Sequence, residues 1–119
     1  TNEFIQVIQS IPRHGESIYQ VPSYPPNTFE NERSGSPIIG MMRGKLASGG
    51  HYMVDWKDGT ITGVLVKIQG QFSMNQVAQT INQKYHMQGR NARHAILWEY
   101  SYGGKLKMIL TRDGIFKSF

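Results

Sequence analysis

FSMNQVAQTINQKYHMQGRNARHAILWEYSYGGKLKMILT, residues 72–111, is the stretch whose reading decides the fold. Its first half is written as a helix. Ser73 is a good N-cap, because its hydroxyl can accept from the free N–H groups of the first turn, and Gln76 three residues later completes a capping box. Phe72 and Val77 hold the two positions of a hydrophobic staple. Met74, Val77, Ala78, Ile81 and Tyr85 fall at i, i+3, i+4, i+7 and i+11, a single apolar stripe, and Asn75, Gln79, Asn82, Gln83 and Lys84 fill the other faces. With Gly89 as the residue just past the end, the spacing predicts a helix over about 74–88.

The second half reads as a hairpin. Ala95–Tyr102 and Lys105–Thr111 are strand-like and are joined by Gly103-Gly104, a pair suited to a two-residue turn with positive φ at both positions. That turn sets an expected register, with Trp98 opposite Ile109, Ile96 opposite Thr111 and Leu97 opposite Leu110. Ala95, Leu97, Leu106, Met108 and Leu110 then form a core face. Trp98, Tyr100 and Tyr102 lie on the other face beside Lys105 and Lys107. Rings interleaved with lysines offer the stacking surface and charge that nucleic acid needs. The same rings serve equally as cross-strand packing. Glu99 falls among the core residues, where an unpaired carboxylate is expensive, so it needs Arg93, Arg112 or His94 as a partner. Asp113-Gly114 then turns the chain into a last short strand, Ile115–Phe119.

Upstream, Phe4–Ile11 reads as a strand, with a short helix as the alternative, and Pro12 ends it. Arg13-His14-Gly15-Glu16-Ser17 follows. This string resembles the phosphohistidine motif of the phosphoglycerate mutase family, in which a His after a strand takes a phosphoryl group. The likeness covers five residues. Members of that family are much longer and add a second catalytic His and further phosphate-binding arginines on a doubly wound sheet, for which 119 residues leave no room. Residues 20–37, punctuated by Pro22, Pro25, Pro26 and Pro37, read as a long irregular loop or arm. His51–Lys57 and Thr60–Gln69 form a second hairpin about Asp58-Gly59, with Trp56 opposite Ile61 and Val54 opposite Gly63, where a glycine allows a bulge. The expected architecture is a single α+β domain over 1–119: a largely antiparallel sheet of two hairpins plus flanking strands, packed on one amphipathic helix.

Charge narrows the partners. Residues 1–32 carry Arg13 against four glutamates, whereas residues 33–119 carry twelve basic and four acidic side chains, for an overall net charge of +5. A basic body suggests RNA or another polyanion, and an acidic protein surface is the other candidate. No apolar run reaches 18 residues and no signal-peptide pattern opens the chain, so no membrane partner is expected. The absence of cysteine excludes disulfides and thiolate zinc sites. No His-x-x-x-His, phosphate loop or acidic cluster is present, so neither a metal nor another cofactor is expected.

Acid–base chemistry without a metal remains. Cleavage of RNA through the ribose 2′-OH needs a base, an acid and a cation, which His, Glu and Lys or Arg supply. The first hypothesis is therefore a metal-independent ribonuclease of bacterial toxin type. In it His94 and Glu99 act as the acid–base pair or as one half of it, His14 is in reserve, and Arg93, Lys105 and Lys107 hold phosphate beside Trp98, Tyr100 and Tyr102. The second is a non-catalytic module that binds nucleic acid or an acidic protein. Convergence of His and Glu side chains in one cleft separates the two.

Overall fold

Phe4, Val7, Ile8 and Ile11 are spaced i, i+3, i+4 and i+7, and all four are buried. That period makes the N-terminal element a helix, α1 (Asn2–Ser10), and not the strand that its density of branched residues suggests. The computed structural model describes residues 2–21, 24–100, 103 and 105–119. A second helix, α2 (Met74–Tyr85), starts as expected, with Ser73 Oγ accepting from the Gln76 N–H at 3.3 Å and Val77, Ala78 and Ile81 buried. It ends three residues earlier than its pattern suggests, because His86 takes a left-handed conformation (φ 53°) and caps it. Gly89 is required for a different reason from a helix stop. A Cβ there would lie 2.6 Å from Ile96 Cγ2 and 2.8 Å from the Trp98 ring.

Among the described residues, eight strands form one antiparallel sheet: β1 (Thr28–Gly35), β2 (Ile39–Leu46), β3 (His51–Lys57), β4 (Thr60–Lys67), β5 (Arg90–Asn91), β6 (Ala95–Glu99), β7 (Leu106–Thr111) and β8 (Ile115–Ser118). Their order is β1-β2-β3-β4-β8-β7-β6-β5. The α+β class holds, but the sheet is larger than two hairpins with flanking strands, and two helices pack with it. The helices share a core with Tyr52, Val54, Trp56, Ile61, Val64, Val66, Ile96, Trp98, Met108, Leu110 and Phe116. Phe4 meets Phe72 edge-on at 5.1 Å.

The stretch 20–37 contains β1, so it is not an irregular loop throughout. β1 escapes the apolar pattern because it is an edge strand with a mostly exposed, polar sequence. Arg43–Glu32 and Lys45–Glu30 ion pairs, both 2.8 Å, join it to β2.

The β3–β4 hairpin turns on Asp58 and Gly59, with φ of 53° and 75°. Trp56 faces Ile61 as expected, and a bulge then shifts the register so that Val54 pairs with Val64 and Asp55 with Gly63.

The β6–β7 hairpin departs further from expectation. The Tyr100 N–H donates to the Lys105 carbonyl at 2.9 Å, whereas the expected register sets Tyr100 opposite Lys107. A bulge at Lys107 follows: Trp98 pairs with Met108 and Glu99 with Leu106. Ile96 therefore faces Leu110, not Thr111, and Leu97 faces Ile109. The β7 residues Met108 and Leu110 point to the core as read, but β6 is turned over. Trp98 is fully buried, and Leu97 and Glu99 go to the other face of the strand. The indole N–H finds Asn82 Oδ1 at 2.7 Å, which satisfies the one polar atom that burial would otherwise strand.

Candidate nucleic-acid interface

Two helix ends meet at the hairpin bulge. Lys84, in the last turn of α2, sends Nζ to the carbonyls of Ile8 (2.6 Å), Ile11 (2.5 Å) and Gln9 (3.5 Å), closing the C-terminal end of α1. In return Arg13 Nη2 donates to the Lys84 carbonyl at 2.7 Å, at the end of α2. A cation suits each site, because unsatisfied carbonyls carry partial negative charge.

This reciprocal capping gathers charge round one ring. Arg13 Cζ lies 5.6 Å from the Tyr85 centroid, Lys84 Nζ 5.5 Å and Lys107 Nζ 5.8 Å. Lys107 also lies 5.5 Å from the Tyr100 centroid, so it links the two tyrosines. The bulge accounts for this position: as the extra residue of its pair, Lys107 is released from strict alternation. Cation–π attraction favours each contact. Like charges so close also repel, and burial adds to the cost. Lys84 shows both effects: burial first, then the Arg13 charge, hold its ammonium down at about 8, with Glu16 opposing. Burial pushes the Tyr85 phenol up to about 12, with Arg13 opposing and Glu16 adding to the rise. Its Oη is buried and, among the described residues, has no hydrogen-bond partner. Glu16 instead accepts from the Arg13 backbone N–H at 3.3 Å. Among the described residues no carboxylate forms an ion pair with Arg13, Lys84 or Lys107.

The residues singled out in the sequence divide into separate groups. Tyr100 is 45% exposed, Lys105 is exposed opposite it, and Lys107 completes the patch. Trp98 does not belong there, because the bulge turns it into the core, where it cannot stack a ligand. Tyr102 lies outside the described residues. Arg93 and His94 are exposed in the loop before β6, at the far end of that strand from Tyr100. Glu99 closes β6 and is held by Arg90 through Nε (2.9 Å) and Nη2 (2.6 Å), a cation none of the expected partners supplies. Five strand steps at roughly 3.3 Å put His94 and Glu99 about 16 Å apart, too far to share one phosphate. His14 sits in the exposed turn after α1, beside the start of β4, where the Gly15 N–H meets the Ile61 carbonyl. The three proposed acid–base residues therefore do not converge.

The sequence does not reveal Arg13, Lys84 and Tyr85 as one site, because 71 residues separate the first two. The available signal was small: Lys84 is the one charged residue of α2, and it stands beside the last aromatic of the apolar stripe.

A hollow of about 640 Å³ crosses β1, β2 and β3, lined by Glu30, Glu32, Arg43, Lys45, His51 and Met53 among others. Its two glutamates are already paired with its two cations, whereas among the described residues the cations of the Tyr85 patch form no ion pair. Among the described residues, no three His, Asp or Glu side chains gather as metal ligands, and no helix is long and apolar enough to cross a membrane. Comparisons with protein families, with curated proteins and with solved structures find no match to this chain.

Proposed function

We propose that the protein is a non-catalytic nucleic-acid-binding module whose contact site is the patch of Arg13, Lys84, Tyr85, Tyr100, Lys105 and Lys107. The observation that carries this reading is the set of three cations within 6 Å of the Tyr85 ring, with no carboxylate paired to them among the described residues. A phosphate backbone relieves that repulsion and releases its own counterions. The uneven charge of the chain, +8 over residues 33–119 from twelve basic and four acidic side chains, draws a polyanion in the same direction. The scatter of His14, His94 and Glu99 favours binding over cleavage.

Fluorescence anisotropy with labelled RNA in EDTA tests the reading. Affinity should fall steeply as salt rises, and Arg13→Ala and Lys107→Ala should each reduce the slope of log K against log salt by about 0.7–0.9. Failure to bind RNA even at low salt would point to the other candidate, an acidic protein partner. Cleavage of the RNA in EDTA would restore the ribonuclease reading.

A further inference from the structure

Resting on that nucleic-acid reading, we infer that the site takes single-stranded and not base-paired nucleic acid, with one base laid on Tyr100 and the adjoining phosphate between Arg13 and Lys107. Two tyrosines stand at the patch, and only one can stack a ligand. Tyr85 is half-buried, its Oη is enclosed, and three cations surround its ring. Tyr100 is 45% exposed and has Lys107 at its ring, which leaves aromatic surface open to solvent. A base can lie on that surface only if it is unpaired and splayed from its neighbours.

The cations match such a ligand in size. Lys84 has its donors committed to α1, so it sets potential without reaching outward. The exposed Arg13 spends one N–H on the Lys84 carbonyl, and among the described residues the rest of its five-donor fork has no hydrogen-bond partner and is available to a phosphate. Lys107 makes no hydrogen bond through Nζ among the described residues, and its ammonium touches the same two rings. Arg13 and Lys107 are both within 6 Å of one centroid, so they span one or two phosphates. Readers of duplex RNA spread their contacts over about 16 base pairs and two minor grooves. The other cations on β6 and its flanks are placed elsewhere: Arg90 is held by Glu99, and Arg93 lies at the far end of the strand.

The test is anisotropy of the whole chain against a single-stranded oligouridylate and a blunt RNA duplex of equal length, at one moderate salt concentration with EDTA. The strand should bind more tightly than the duplex. Tyr100→Ala should weaken strand binding by roughly 5- to 150-fold, the range for one stacked base, whereas Tyr100→Phe should retain it. Because Tyr100 is exposed, both variants should keep the parent melting temperature. Equal affinity for strand and duplex, or strand binding indifferent to Tyr100→Ala, overturns the inference and leaves the nucleic-acid reading in place. Failure of both ligands to bind, even at low salt, overturns both.

Discussion

The hairpins β3–β4 and β6–β7 carry the same kind of sequence, alternating apolar residues on either side of a glycine-containing turn, yet only one can be read correctly from its turn. In β3–β4, Asp58 and Gly59 both take positive φ, and the first pair beyond them, Trp56 with Ile61, is the expected one. In β6–β7, the Tyr100 N–H already bonds the Lys105 carbonyl and the bulge at Lys107 comes at once. Each hairpin slips by one residue. In β3–β4 the slip falls after Trp56 and Ile61 are placed, so Tyr52, Val54 and Trp56 still share the core face. In β6–β7 it exchanges Leu97 for Trp98 as the buried residue. A turn dictates the pairs next to it, and burial of the largest side chain decides the rest.

The sharpest way to break this comparison is Trp98→Ala. It should cost about 3–5 kcal/mol, since it empties a core site and removes one of two donors to the Asn82 amide oxygen, the other being the Gly89 N–H, whereas Leu97→Ala, one residue away, should cost much less. Urea unfolding of both variants measures the difference, and the reverse ranking would mean that β6 faces the other way.

Gly89→Ala probes the same packing from above. Its methyl would meet Ile96 and the Trp98 ring at under 3 Å, so a loss of about 1–3 kcal/mol is expected from the same unfolding experiment.

Changing the pH addresses the helix ends that support the patch. Lys84 is lowered to about 8 from 10.5, so between those values the unfolded chain holds the extra proton. The cost of burying its charge is fully present below pH 8 and is relieved as pH rises toward 10.5. Tyr85 is raised from 10.0 to about 12, so the stability it contributes is present below pH 10 and is lost as pH climbs through 12. Burial raises Tyr52 as well, which acts in the same direction as Tyr85. Stability from these groups should therefore peak near pH 10. Urea midpoints taken below pH 8, near 10 and above 12 check this, and Lys84→Met should abolish the rising limb.

The smallest effect is expected at Gly63, where the bulge of the other hairpin lies. A Cβ there would meet only Asp55 Oδ2, at an ordinary 3.6 Å. Gly63→Ala should shift the melting temperature little, within about 0.5 kcal/mol of stability. A large loss would show that the glycine, and not the pairing around it, makes that bulge.

The fold was legible where several local signals agreed. Ser73, Gln76 and the stripe to Tyr85 all specify α2, and Asp58-Gly59 specifies its hairpin. Phe4–Ile11 misleads because Phe4, Ile5, Val7, Ile8 and Ile11 are dense enough to suit a strand, and only the helical subset is fully buried. β1 shows no apolar alternation because it lies at the sheet edge, held by backbone pairing and ion pairs to β2. Half of the candidate site, Tyr100, Lys105 and Lys107, could be read from one hairpin. The other half comes from α1's exit and α2's last turn, which meet only because each helix end supplies a cation to cap the other.

Amide shift mapping tests that joined site most directly. With isotope-labelled protein titrated with a single-stranded oligouridylate, the resonances of Arg13, Lys84, Tyr85, Tyr100 and Lys107 should move together and saturate at one affinity. Arg93 and His94, at the far end of β6, should stay in place. Shifts confined to Arg93 and His94, or to the Glu30–His51 hollow of β1–β3, would contradict the account.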